Sequence, residues 1–282
     1  MEAKLDNAYL NRLFTQNVIV KTIEKINYEM LYDFVESKSL SVLGNDVLSY
    51  FEAIYNYMLI NYRNQYIYQN TLFNKLFNNK IKNKVALSQI PIANSKADFI
   101  FINGKAVVYE IKTELDSFFR LEKQIYDYYK AFDHVYLFTS ENQVDHAIKS
   151  LPYEVGILIL ESNSRIREIR PALENCNYLS HKEIYELLRK QEINNILFKY
   201  TKKLPKEPAA FYYEACYQEF KKIPIEIAYK YALSELKKRK YIDECYLTQI
   251  PFQLRSLIYF SCLSRKQLVN FINILCQSIL GR

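Results

Sequence analysis

The sequence predicts an α/β (α+β) protein: a mixed central sheet flanked by helices, preceded by a helical segment and followed by an all-helical domain. Three observations carry this. The hydrophobic period changes from helical to strand-like at Val85. The dipeptide Asn103-Gly104 separates two short β-rich runs. From His181 onward every periodic segment is helical.

Residues 5–36 read as one or two helices, with apolar spacing at Leu10, Leu13, Phe14, Val18 and Val20. A polar break follows from Ser37 to Asn45. Asn45 or Asp46 then caps a helix running to about Tyr62. A second helix is expected from about Gln65 to Phe77, and the basic stretch Asn78 to Lys84 reads as a loop. Segments 85–92, 97–102 and 106–112 are apolar and β-rich, and Asn-Gly between the last two is the strongest short hairpin signal. Helical spacing returns over 116–131, with Phe118, Leu121, Ile125 and Phe132 on one side. Strand 134–139, helix 141–150 and strand 155–161 follow, and a short strand over 165–170 precedes Pro171. A hairpin followed by β-α-β is the pattern of a layered α/β fold. Pro205, Pro208, Pro224 and Pro251 punctuate the helical remainder. The expected division is a segment 1–44, a core 45–175 and a basic helical domain 176–282.

With 282 residues, 50% hydrophobic and 24% charged, the chain has ample material for a large core and is not of disordered composition. The Met1 end has no apolar run behind it, so no signal peptide is expected. No uncharged apolar stretch reaches the length of about eighteen residues that a membrane span needs. Cys176, Cys216, Cys245, Cys262 and Cys276 form no Cys-x-x-Cys pair. Reduced thiols in a cytoplasmic protein are expected, and a structural zinc site is not. Residues 1–180 hold 20 Lys+Arg against 21 Asp+Glu, net −1, whereas residues 181–282 hold 18 against 10, net +8. The whole basic excess lies in the last third, which suggests a polyanionic partner. The abundance of Lys, Asn, Ile and Tyr also fits an A+T-rich coding sequence.

Side chains alternate faces along a strand, so Glu110 and Lys112 share one. Asp98 joins that face only if paired residue numbers across the hairpin sum to an even value, as with 98 opposite 110. A two-residue Asn-Gly loop would give an odd sum. The chemistry therefore requires a three-residue loop or a bulge, for instance Asn103-Gly104-Lys105 with the glycine left-handed. Two converging carboxylates repel unless a cation lies between them, and oxygen donors of this kind suit Mg²⁺ or Mn²⁺. Such a metal polarises a phosphoryl oxygen and acidifies a bound water, while Lys112 can orient the water and neutralise developing charge. Glu-x-Lys alone is common on solvated strands; three charged groups on otherwise apolar strands need a shared reason.

Asp98 followed by Glu110-Ile111-Lys112 on the next strand resembles the PD-(D/E)XK nuclease superfamily, and in particular a little-characterised bacterial restriction-endonuclease-like branch. The resemblance covers roughly residues 45–160. It takes in Ser95-Lys96-Ala97-Asp98, Thr113-Glu114-Leu115-Asp116, Arg120-Leu121, Gln124, Tyr128 and Phe132-Asp133. It implies a restriction-endonuclease-like sheet, metal ligation by Asp98 and Glu110, and a hydrolytic role for Lys112. Gln124 and Tyr128 match the Gln-x-x-x-Tyr motif of RecB-like members. With Arg120 they form one polar helical stripe, placing Gln124 in the catalytic set and Arg120 and Tyr128 at substrate. Arg120 could instead pair with Asp116, and Asp116 could cap the helix. Superfamily members often add an acid from an earlier helix; Glu52, on an apolar helix, is the candidate third metal ligand. The pattern departs at Gln65 and Gln89, where relatives carry acids.

In the basic third, Lys237, Lys238, Arg239 and Lys240 form the densest cationic cluster and are candidate substrate contacts among interleaved tyrosines. A solvated lysine face over a tyrosine-rich core, or a docking surface for a protein partner, would use the same residues. The expected function is a Mg²⁺- or Mn²⁺-dependent deoxyribonuclease acting in phage defence, restriction or repair. Duplex DNA is the favoured substrate, with single-stranded DNA or RNA as alternatives, and a homodimer would suit cutting of both strands. The competing expectation is a non-catalytic nucleic-acid-binding or complex-assembly protein that keeps the nuclease fold.

Overall fold

The structure, a computed structural model, describes residues 2–19, 29–78, 83–239 and 242–278. In chain order its elements are α1 (Glu2–Leu13), α2 (Glu29–Ser37), α3 (Val47–Asn61), α4 (Gln65–Phe77), β1 (Val85–Ile92), β2 (Ser95–Asn103), β3 (Lys105–Ile111), α5 (Leu121–Tyr129), β4 (Val135–Ser140), α6 (Val144–Ser150), β5 (Gly156–Leu160) and β6 (Ile166–Arg170). They continue with α7 (His181–Glu186), α8 (Lys190–Thr201), α9 (Ala209–Phe220), α10 (Ile225–Leu236), α11 (Glu244–Leu247), α12 (Arg255–Phe260) and α13 (Arg265–Leu275). Val20 and the stretch 79–82 lie outside the described residues. None of the described helices is long and apolar enough to cross a membrane.

The chain divides into two compact units. One comprises Met1–Ile81, Glu161–Ile166 and Tyr241–Arg282; the other comprises Lys82–Leu160 and Arg167–Lys240. This differs from the expected division at 44 and 175. Helices α3 and α4, read from sequence as part of the sheet-bearing core, instead group with the C-terminal segment. The reason is side-chain packing that periodicity does not reveal. In α4, Phe73 and Phe77 pack against Tyr259 of α12, with ring centroids 4.9 and 5.3 Å apart. Asn70, fully buried, donates to the Phe252 carbonyl at 2.9 Å and accepts from the Ser256 amide at 3.0 Å. A buried amide needs such partners, and here they tie two segments distant in sequence. The capping follows expectation: Asp46 accepts from the Ser49 amide at 2.8 Å and starts α3. Asn64 does the same for α4, which ends on the left-handed Asn78.

The other unit carries the sheet. Among the described residues six strands lie in the order β1-β2-β3-β4-β5-β6; β1, β2 and β3 are antiparallel neighbours, and β4 is parallel to both β3 and β5. The mixed α/β architecture is therefore as expected. Val107, Val108, Leu137, Phe138, Ile157 and Ile159 are buried, as central strands between covered faces require. Tyr128 and Phe132 of the following segments are fully buried as well. In β1, Gln89 has φ +57 although its neighbours Ser88 and Ile90 pair regularly with Phe99 and Ala97, and Pro91 pairs with Lys96. Residues 116–120, expected to open the helix over 116–131, instead belong to a turn-rich loop over 113–120. Asp116 does not cap a helix or meet Arg120: its Oδ2 accepts from the amide and the hydroxyl of Thr113, both at 2.8 Å, and this local ring delays the helix to Leu121.

Candidate active site

The β2–β3 hairpin sets the geometry. Phe99 pairs with Tyr109, Ile102 with Ala106 and Asn103 with Lys105, so every paired sum is even, the parity that puts Asp98 and Glu110 on one face just beyond the last regular pair. Gly104 makes the reversal at φ +81, a left-handed conformation that favours glycine. The three-residue turn expected from the parity argument is present, and Asp98, Glu110 and Lys112 come to one face of the sheet. Regular pairing stops at Phe99–Tyr109. There the Ile111 amide donates to Asp98 Oδ2 at 3.0 Å instead of to a β2 carbonyl. Lys112 is anchored by its amide to the Phe138 carbonyl at 3.0 Å.

Glu110 is 1% exposed and is the centre of the cluster. Its Oε1 accepts from Gln124 Nε2 at 2.6 Å and from Lys112 Nζ at 2.9 Å; its Oε2 accepts from the Tyr128 hydroxyl at 2.5 Å. Burial, followed by the negative charge of Asp98, pushes the Glu110 carboxyl up to about 7 against the opposing pull of Lys112 and Tyr128. Burial and the Glu110 charge drive the Tyr128 phenol well above its ordinary value, so it stays a donor. Gln124 and Tyr128 are one helical turn apart on α5, which explains how one short helix serves both carboxylate oxygens. Asp127 holds that helix in place. It is 1% exposed, accepts from Ser95 Oγ at 2.7 Å and pairs with Lys130 at 2.7 Å, which clamps α5 to the start of β2. Nothing in the sequence pattern predicts this clamp beyond the placement of Lys130 three residues after Asp127.

Gln89 also belongs to the cluster. Its Nε2 donates to Asp98 Oδ1 at 3.1 Å, from the position of β1 directly across from Asp98. This amide neutralises no charge but satisfies one lone pair of the aspartate. A carboxylate oxygen carries two lone pairs, so these hydrogen bonds do not exhaust what Asp98 and Glu110 can offer a cation. Gln124 Oε1 is buried with no hydrogen-bond partner. Turning the amide over would set its oxygen against an ionised Glu110 Oε1. Two mutually repelling carboxylates beside an unsatisfied oxygen acceptor fit one hard divalent cation.

The other expected site residues are placed differently. Arg120 is exposed at the end of the 113–120 loop and makes no ion pair among the described residues. Glu52 lies on α3 of the other unit, where Oε1 accepts from Gln253 Nε2 at 3.3 Å. Gln65 is the first residue of α4 in that same unit. Of the basic cluster, Lys237 is the C-cap of α10, and Lys238 pairs with Glu235. Arg239, expected at substrate, grips both oxygens of Glu192 at 2.7 and 2.6 Å and the Leu187 carbonyl at 2.8 Å. Glu192 is a mostly buried carboxylate, and Arg239 is the cation that lets it stay charged. Lys240 lies outside the described residues. A further group of potential ligands, unanticipated from sequence, gathers Asp133, Glu174 and Cys176 with their ligand atoms within 4.8 Å of one another. Burial and the neighbouring carboxylates push the Cys176 thiol up to about 11, which disfavours the thiolate that a metal would need.

Fold and site together define a mixed α/β protein with a buried acid–amine–amide cluster at the point where two antiparallel strands part. Residues 58–258 match the family described as Bacteriophage P4 protein cII, and the chain belongs to that family. No curated protein and no solved structure matches the chain.

Proposed function

We propose that this chain hydrolyses phosphodiester bonds of DNA with the help of a divalent cation held by Asp98 and Glu110. The observation that carries the reading is the convergence of Asp98, Glu110 and Lys112 on one face of the β2–β3 hairpin, with Gln124 and Tyr128 completing the shell around Glu110. Mg²⁺ or Mn²⁺ bound there would polarise a phosphoryl oxygen and acidify a water. Tyr128 and Gln124 fix the Glu110 carboxylate in one orientation, so the lone pair left on Oε2 keeps a constant direction. Lys112 opposes the burial that raises the Glu110 pKa, favouring the ionised form, and presents an ammonium, 14% exposed, to an incoming phosphate. Restriction, phage defence and repair are the settings such an activity would serve.

The test is cleavage of plasmid and linear duplex by the purified protein, with and without Mg²⁺ or Mn²⁺. Wild type is expected to cut only with the metal, and Lys112→Ala to remain folded and inactive. Metal-dependent cutting that survives Lys112→Ala takes the lysine out of the mechanism.

A second reading has its own support. Gln89 and the Ile111 amide donate to Asp98, and Lys112, Gln124 and Tyr128 donate to Glu110, so hydrogen bonds within the chain already hold both carboxylates in place. On that reading the protein binds nucleic acid or assembles with partners without cutting. DNA binding that weakens steeply with salt, and no turnover with any divalent ion, would favour it.

A further inference from the structure

In the unit built from α1–α4, the turn after β5 and the C-terminal helices, a cavity of about 550 Å³ opens beside the C-terminal half of α4. Lys75, Arg165 and Arg255 line it together with Thr71, Asn74 and Phe252, and among the described residues no carboxylate does. The cations come from three separate segments. Lys75 donates from Nζ to the Ile166 carbonyl at 2.7 Å. Arg165 is exposed on a turn fixed by two backbone contacts, the Glu161 amide to its carbonyl at 2.8 Å and its own amide to Asn163 Oδ1 at 2.9 Å. Its guanidinium has no hydrogen bond or ion pair among the described residues. Arg255 donates to the Ile250 carbonyl at 3.0 Å and to Asn74 Oδ1 at 3.3 Å, and burial lowers its pKa.

Like charges facing one polar cavity repel each other, and the backbone carbonyl that holds Lys75 offsets only part of that cost. A bound anion would remove it. Phe252 supplies the other half of the chemistry. It is 44% exposed at the rim, and its backbone carbonyl is held by Asn70 at 2.9 Å and Asn74 at 3.2 Å, which fixes the residue that carries the exposed ring. An aromatic face beside a guanidinium fork and an ammonium matches a planar base attached to a phosphate. We propose that this cavity is a nucleotide-binding site, with the phosphate held by Lys75, Arg165 and Arg255 and the base stacked on Phe252. A free mononucleotide or one nucleotide of a nucleic-acid strand offers the same chemistry. The inference does not depend on the acid–amine cluster of the sheet-bearing unit.

The test is calorimetric titration of the full chain, without divalent cation, with AMP, ribose 5-phosphate and a short oligodeoxythymidylate. Arg165→Glu changes an exposed turn residue whose structural contacts are all backbone, and a thermal melt checks that the fold is kept. It should weaken nucleotide binding by at least about tenfold. Phe252→Leu keeps the apolar volume and removes the ring; it should weaken AMP binding by about tenfold while leaving ribose 5-phosphate unchanged. Binding of AMP without the oligonucleotide supports the site and assigns it to free nucleotides; binding of the oligonucleotide without AMP supports it and assigns it to a strand. The proposal is overturned if wild type binds neither, or if Arg165→Glu binds both as wild type does. An equal loss of AMP and ribose 5-phosphate binding in Phe252→Leu overturns the stacking role.

Discussion

Lys112 Nζ lies 2.9 Å from Glu110 Oε1, and the two residues stand two apart on the same face at the end of β3. Lys112 is the cation that pairs with Glu110, whose other contacts, Gln124 and Tyr128, are neutral donors. Lys112→Ala is therefore expected to do two things. It should abolish metal-dependent cleavage, and it should destabilise the apo protein more at pH 8 than at pH 5, because an uncompensated buried carboxylate costs about 3 kcal/mol only while it is ionised. Urea unfolding at the two pH values checks the second outcome. An equal loss at both would mean that the lysine acts through packing alone.

The Glu110 carboxyl, raised to about 7 in the folded state, gives stability a definite pH dependence. A raised acid pKa means that the native state holds its proton more tightly than the unfolded chain. Stability therefore falls as pH climbs from about 4.5 through about 7. Glu110→Gln should flatten that decline and leave the protein more stable than wild type above pH 7 without metal. Added Mn²⁺ should raise the melting temperature of wild type above pH 7, where the carboxylate is ionised, and should leave the glutamine variant unmoved. Calorimetric melts across pH 4 to 9 check both outcomes, with the two stability curves expected to draw together at the acid end.

Tyr128→Phe removes the hydroxyl 2.5 Å from Glu110 Oε2 and nothing else of the buried ring. The loss of that donor should raise the Glu110 pKa further and shift the acid limb of the cleavage profile to higher pH, with about 1–3 kcal/mol of stability lost. An unshifted acid limb with lowered stability would confine Tyr128 to a structural role.

The hairpin that sets the register is legible in the amino-acid sequence. The parity argument from Asp98, Glu110 and the Asn103-Gly104 turn needs only alternation of side chains, and the pairing of Asn103 with Lys105 satisfies it. The span of α4 and the cap at Asp46 are equally readable, because local hydrogen bonds decide them. Packing between distant segments is not. The grouping of α3 and α4 with the C-terminal helices depends on Asn70 and Tyr259, and neither residue has a periodicity that names its partner. Arg239 misleads for a related reason: in a run of four cations, nothing local marks the one that a buried Glu192 requires. Gln89 stands out in sequence as a departure from an acidic pattern, yet its contact with Asp98 depends on the course of β1.

Arg239→Ala should accordingly behave as a core substitution. Leaving Glu192 buried beside an empty position is expected to cost about 3–5 kcal/mol in denaturant unfolding, whereas Lys238→Ala should cost less, because the Lys238 ammonium is itself exposed and Asn195 still donates to the buried Glu235 at 2.9 Å. Comparable losses for the two variants would overturn the distinction.

Gly104→Ala isolates the backbone. An added Cβ meets nothing within 4 Å, so the cost is that of a left-handed alanine alone, about 1 kcal/mol, and Gly104→Asn should recover part of it. A larger penalty, read from equilibrium unfolding, would point to a change of register and not of conformation.

The margin of the sheet at β1 has a consequence for solubility. A terminal strand usually offers a row of unpaired amides and carbonyls that can template the addition of foreign chains. Here Pro91 has no amide hydrogen to offer, and the left-handed turn at Gln89 swings its peptide groups out of line with those of Ser88 and Ile90. The residue that steadies Asp98 thus also roughens the outer rail of the sheet, so that protection against fibril-like accretion and support of the acidic cluster depend on the same backbone kink.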